Sequence, residues 1–185
     1  APLFTLILEV LILKRRFEPK IIFGLGLSLI GAYLIFGNKF DLSDKYIMGN
    51  CLALICSLCL ALCFMIAEKV RQIESTVVYT RLLYLSAAIT LLFIAFLGET
   101  PLLGFNYYEY LGLLFLGVVP TIIGHNAIYY SVKYVSPTIV SAFPLGEPII
   151  ATILAFFIFG EPIGFSIYIG GSITFLGLIL IAIKK

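Results

Sequence analysis

Apolar runs of roughly 20 residues, separated by short clusters of charge, Gly and Pro, divide this chain from end to end. They fall at Ala1–Leu13, Ile21–Phe36, Ile47–Ala67, Val77–Leu97, Tyr108–Ser131, Pro137–Phe159 and Ile163–Ile183. None alternates with period two, so each predicts a helix rather than a strand. A hydrocarbon core of ~30 Å takes about 20 helical residues at a rise of 1.5 Å. Ala1–Leu13 falls short and reads as a half span. Arg81, near the start of the third full-length candidate, must snorkel to the interface.

Composition turns this pattern into a class. Of 185 residues, 62% are hydrophobic and 12% charged, with a mean hydropathy of +1.14. Soluble domains carry about a quarter charged residues because their surface faces water. Here the apolar surplus must face lipid, where backbone groups are satisfied only within helices or closed barrels. The expectation is an all-α membrane protein with about seven transmembrane helices, six full and one partial. The lipid bilayer is thus a partner, and the net charge of +2, scattered between apolar runs, excludes a nucleic-acid surface.

Assigning the connections to alternate sides puts Lys14, Arg15, Arg16, Lys20, Lys69, Arg71, Arg81, Lys133, Lys184 and Lys185 together. Only Lys39 and Lys45 fall on the other side. The positive-inside rule then places the carboxyl terminus in the cytoplasm, as expected for the cytoplasmic (plasma) membrane. With no tryptophan, Tyr46, Tyr79, Tyr107, Tyr108, Tyr134 and Tyr168 are the candidates for the interfacial belt. Cys51, Cys56, Cys59 and Cys63 share one apolar run and read as small packing residues, not a metal or redox site. No cofactor is expected.

Displaced by 146 positions, residues 1–37 fall on 147–183. Pro2 then meets Pro148, Gly24 meets Gly170 and Gly31 meets Gly177, alongside identical aliphatic positions that include Ile7, Leu8, Ile12, Ile21 and Ile35. An odd number of spans separates the copies, so they should lie oppositely in the membrane, an inverted repeat of the kind transporters use. The division expected is 1–37 as the last two helices of a first repeat, 38–45 as an extracytoplasmic loop, and 46–185 as a complete second repeat. The chain opens at Ala1 rather than at methionine, and the repeat reads as truncated at its amino end.

Four segments carry a family resemblance: Gly112-Leu-Leu-Phe-Leu-Gly-Val-Val-Pro-Thr121; Tyr130-Ser-Val-Lys-Tyr-Val-Ser-Pro137; Glu147-Pro-Ile-Ile-Ala-Thr152 running to Phe159-Gly-Glu-Pro162; and Gly170-Gly-Ser-Ile-Thr-Phe-Leu-Gly177. In these the chain resembles the EamA family of the drug/metabolite transporter superfamily. The resemblance implies a ten-helix inverted-repeat transporter fold, of which the first three helices are absent here. His125 departs from the apolar or aromatic residue more often found at its position.

Candidate functional residues stand where polar groups interrupt apolar spans. Glu147 lies near the centre of its span, between Pro144 and Pro148, where an ionised side chain costs at least ~2.5–3.5 kcal/mol. Prolines remove intrahelical donors and kink the helix, and broken backbone at the midplane commonly lines a binding site. The structural alternative is a protonated Glu147 bonded to a carbonyl that proline has freed. His125 shares a helical face with Thr121 and Tyr129, beside the kink expected at Pro120. That face is expected to line a pathway, with His125 binding solute or relaying protons to Glu147, or else bonding another helix. Glu9 reads as interfacial and paired with Lys14. Asn50 and Ser57 mark a mildly polar face suited to interhelical bonding. Gly24 with Ser28 and Gly170 with Thr174 are small-residue pairs for close helix packing, with Gly31 and Gly177 in register. Gly24-Leu-Gly26 lies within a span, not at a strand-to-helix turn, so it is no nucleotide loop.

The function these features favour is a secondary transporter exporting small organic solutes or metabolites by alternating access. Protons are the candidate coupling ions, and a homodimer is compatible with the sequence. The competing readings are a transport-inactive membrane fragment of such a carrier and an intramembrane enzyme. An enzyme would need a nucleophile or paired aspartates within the spans, and Asp41 and Asp44 both fall in a loop.

Overall fold

A computed structural model describes residues 1–36 and 44–183. Those residues form helices α1 (Pro2–Leu11), α2 (Pro19–Phe36), α3 (Asp44–Arg71) and α4 (Thr76–Leu97). They continue as α5 (Tyr107–Ser131), α6 (Pro137–Phe159) and α7 (Phe165–Ala182), and no strand occurs among them. Six are long and apolar enough to cross a bilayer, while α1 is shorter. Their outer faces are crowded with exposed Leu, Ile and Phe, as lipid-facing surfaces require.

Local chemistry sets the ends. The Ser75 hydroxyl accepts from the Val78 N–H to start α4. Asn106 and Glu109 form a reciprocal capping box at the start of α5. Gly160, at φ +69°, closes α6 in the left-handed conformation that favours glycine. One boundary needs correcting. Glu68, Lys69 and Arg71, expected in a loop, continue α3. The expected boundary marked where the hydrocarbon ends, but helical hydrogen bonding persists into the headgroup zone, where charges are solvated. Asp44 also joins α3, whereas the rest of the expected Asp41–Asp44 loop, with Lys39, Lys184 and Lys185, lies outside the described residues.

The chain divides into two compact units, Ala1–Met65 with Pro137–Lys185, and Ile66–Ser136. In the first, α2 and α7 run antiparallel in close backbone contact. A Cβ on Gly24 would lie 2.8 Å from the Gly177 carbonyl oxygen, and one on Gly170 would lie 2.6 Å from that of Gly31. Between these contacts the Ser28 hydroxyl donates to the Thr174 carbonyl at 3.3 Å, and the Thr174 hydroxyl donates to the Ser28 carbonyl at 3.4 Å. Leu25, Leu178 and Ile181 pack beside this seam with Ala142 of α6. In lipid no hydrophobic drive separates helix from solvent, so close van der Waals approach and interhelical hydrogen bonds must supply the association.

In the second unit the guanidinium of the buried Arg71 donates from Nε to the Tyr129 carbonyl at 3.3 Å, near the end of α5. Its Nη1 donates to the Glu74 carbonyl, and Gln72 reaches the Lys133 carbonyl at 3.2 Å. The end of α3 and the turn after it therefore serve carbonyls in the last turn of α5 and in the turns that follow the two helices.

Candidate functional site

Proline breaks α6 in mid-span. Pro144 and Pro148 have no N–H, so neither can donate to the carbonyl four residues back. The chain tightens into a 3₁₀ turn at Phe143–Gly146, and the Glu147 N–H donates to the Pro144 carbonyl, which Pro148 cannot serve. Helix resumes at Glu147 with Pro148 in its first turn, where a missing donor costs nothing. Glu147 is exposed, and its carboxylate makes no hydrogen bond or ion pair with a described residue. The alternative in which a freed carbonyl binds a protonated Glu147 has no counterpart in this geometry.

Beside the break lies a cavity of about 230 Å³, lined on α6 by Ser141, Pro144 and Leu145. The α3 wall presents Cys56, Ser57, Leu60 and Phe64, and Ala1 and Pro2 complete it. Its walls are apolar with a few small polar groups, the usual make-up of a small-molecule site. Glu147 is not among the lining residues. A second hollow of about 250 Å³ between α6 and α7 is lined mainly by Ile149, Ile153, Ile163, Ile167 and Phe175, and suits a lipid chain better than a polar solute. Cys51, Cys56 and Cys59 are exposed free thiols rather than packing residues, and Cys63 is half-buried.

The other broken helix is α5. Pro120 cannot donate to the Leu116 carbonyl, and the Thr121 hydroxyl takes that acceptor at 2.9 Å. The backbone widens into a π-turn over Gly117–His125, a form that often marks functional sites. His125 Nδ1 lies 3.0 Å from the Pro120 carbonyl oxygen. A carbonyl only accepts, so Nδ1 carries the proton and a neutral ring keeps Nε2 as a free acceptor. His125 therefore bonds its own helix, not another. Along the expected face Tyr129 is buried, Thr121 half-buried and His125 exposed, so the three do not share one environment. The π register, with bonds five residues apart, disrupts the alignment expected from α-helical spacing. Two groups escaped the sequence reading: Tyr84 donates from its hydroxyl to the Thr121 carbonyl at 3.2 Å and to Asn126 Oδ1 at 2.9 Å. The signal available was a tyrosine and an amide inside apolar spans, away from the interface.

Glu9 corrects the sequence reading most sharply. It is fully buried and pairs with Arg15, not Lys14. Lys14 adopts φ +51° at the end of α1, turning the chain so that the Arg15 N–H meets the Glu9 carbonyl at 3.1 Å and its guanidinium meets the carboxylate. The other carboxylate oxygen accepts from the Thr138 backbone N–H at 2.9 Å and from the Thr138 hydroxyl, in the first turn of α6. An anion there meets unsatisfied donors and the positive end of the helix dipole. One turn away the Thr5 and Ser141 hydroxyls are hydrogen-bonded at 2.8 Å.

Comparison with known proteins agrees with this architecture. Residues 47–183 match the EamA-like transporter family. An uncharacterized transporter of Archaeoglobus fulgidus is 29% identical over 97% of this chain and 63% of its own length. One from Clostridium kluyveri is 26% identical over 96% of this chain and 58% of its own length. The chain thus spans about three-fifths of the curated relatives it matches. No solved structure matches.

Proposed function

Since the chain belongs to the EamA-like transporter family, we propose that it is a carrier segment that moves small organic solutes across the cytoplasmic membrane. The observation that carries this reading is the break in α6. It sets at mid-span an exposed carboxylate with no bonded partner among the described residues, and the residues that precede it, Ser141, Pro144 and Leu145, line a cavity of about 230 Å³. Lipid does not tolerate such a group, so the face of Glu147 must be wet or meet polar surroundings. A wet vestibule at the midplane is what a solute pathway supplies.

Cavity size favours a solute smaller than the drug-like ligands that fill roughly 300–1,000 Å³. The reciprocal packing of α2 on α7 supports an inverted-repeat arrangement. Exchanging the equivalent positions of the two helices carries the Gly24–Gly177 contact onto the Gly31–Gly170 contact. Two halves related in this way can rock against each other, giving alternating access. The basic connections favour a carboxyl terminus in the cytoplasm, and export coupled to protons at Glu147 completes the reading.

The test is an efflux screen in cells expressing the complete chain, parent against Glu147→Gln, over a panel of amino acids, their metabolites and small organic cations. Loss of efflux of one solute on substitution, at equal membrane abundance, is the expected result. Equal efflux of every transported solute by both proteins would reject the role of Glu147.

A further inference from the structure

We infer that Glu9, Arg15 and Thr138 form a latch that closes the cavity beside α6 toward the cytoplasm. The inference rests on the carrier reading. Glu9 and Thr5 lie one turn apart on α1, and Thr138 and Ser141 lie one turn apart on α6. All four are buried, and they pair across the two helices as Glu9 with Thr138 and Thr5 with Ser141. Ser141 and the start of α1 also line the cavity. From the basic end of α1 inward, the order is therefore Arg15, Glu9–Thr138, Thr5–Ser141, and then the cavity.

This seam is polar where an apolar one would pack as well, which suits a contact that must part. Hydrogen bonds between helices in a membrane are individually weak because separated partners find others. The Glu9 carboxylate has ready alternative partners in Lys14, Arg16 and Lys20 of the basic loop, which can follow it together with Arg15 when α1 swings from α6. Arg15, half-buried at the mouth, pairs with the Glu9 carboxylate from the loop side of the seam.

The experiment uses the complete chain in inverted membrane vesicles, with Cys56 as the only thiol and a membrane-impermeant maleimide added from the cytoplasmic face. In the parent, the labelling rate of Cys56 from that face is the reference. Glu9→Gln should accelerate it about tenfold, the effect of 1.4 kcal/mol on an opening equilibrium. Arg15→Gln, a milder change in the loop, should accelerate it in the same direction. A disulfide between Thr5→Cys and Ser141→Cys, whose hydroxyls now stand 2.8 Å apart, should hold labelling at the parent rate and stop transport until reduced. Unchanged labelling in both Glu9→Gln and Arg15→Gln would overturn the latch, as would acceleration that is equal from both faces of the membrane. Parent protein that transports while the disulfide leaves transport untouched also rejects the latch but keeps the carrier. Labelling that responds in a protein moving no solute rejects the carrier and keeps the seam as a closure.

Discussion

Ser28 and Thr174 stand 146 residues apart, and each donates its hydroxyl to the other's backbone carbonyl across the α2–α7 seam. Each hydroxyl also lies within reach of the carbonyl four residues back in its own helix, at 2.9 Å for Ser28 and 2.8 Å for Thr174. The symmetry of the pair follows from the glycines that flank it. Without side chains at Gly24, Gly31, Gly170 and Gly177, the two backbones approach until short hydroxyls can bridge them.

That seam makes glycine substitutions unequal. A Cβ at Gly24 would lie 2.8 Å from the Gly177 carbonyl oxygen, whereas Gly26 has open space. Gly24→Ala should therefore destabilise the protein by about 1–3 kcal/mol through overpacking. Gly26→Ala should be neutral or gain up to about 1 kcal/mol of helix propensity. Thermal unfolding of the two variants in the same detergent checks the difference in sign.

Arg71 should resist conservative replacement. Its Nε and Nη1 serve the Tyr129 and Glu74 carbonyls from one planar group, a fork that lysine cannot reproduce. Arg71→Lys and Arg71→Met should both cost about 1.5–3 kcal/mol, the range for hydrogen bonds to charged groups. Denaturation of both variants in the same detergent micelles provides the measurement, and full rescue by lysine would contradict the fork.

The Tyr84 hydroxyl bridges the Thr121 carbonyl and Asn126 in the widened turn of α5. Tyr84→Phe should cost about 0.6 kcal/mol and no more than ~1.7 kcal/mol, as for other interhelical bonds in membranes. A double-mutant cycle with Asn126→Ala should show coupling between the two, while additive effects would deny the contact.

Glu147 should behave unlike these residues. Its carboxylate has no bonded partner among the described residues, so Glu147→Gln should shift stability by less than about 0.5 kcal/mol. Unfolding curves of parent and variant should coincide even where transport is lost, which separates a working residue from a structural one.

The spans were legible because length and hydropathy report directly on the bilayer, and α6 keeps the bounds that its apolar run predicts. The prolines marked where α5 and α6 break, but not that one break would widen and the other tighten. That choice depends on local donors, the Thr121 hydroxyl at one site and the Glu147 N–H at the other. Glu9 was misread for a different reason. Its donors at Thr138 come from 129 residues away, and no local spacing announces a contact that only the packing of α1 on α6 creates. The positive φ of Lys14, which brings Arg15 over the carboxylate, is equally silent in the pattern of hydrophobic and polar positions.

The central claim is that solute passes through the cavity beside the α6 break, where Cys56 forms part of the wall. Alkylating Cys56 as the sole thiol in the complete chain, in proteoliposomes whose solute flux is recorded at the same time, tests it most directly. Flux should fall in proportion to modification, and the transported solute should protect the thiol. Complete modification with undiminished flux would place the pathway elsewhere.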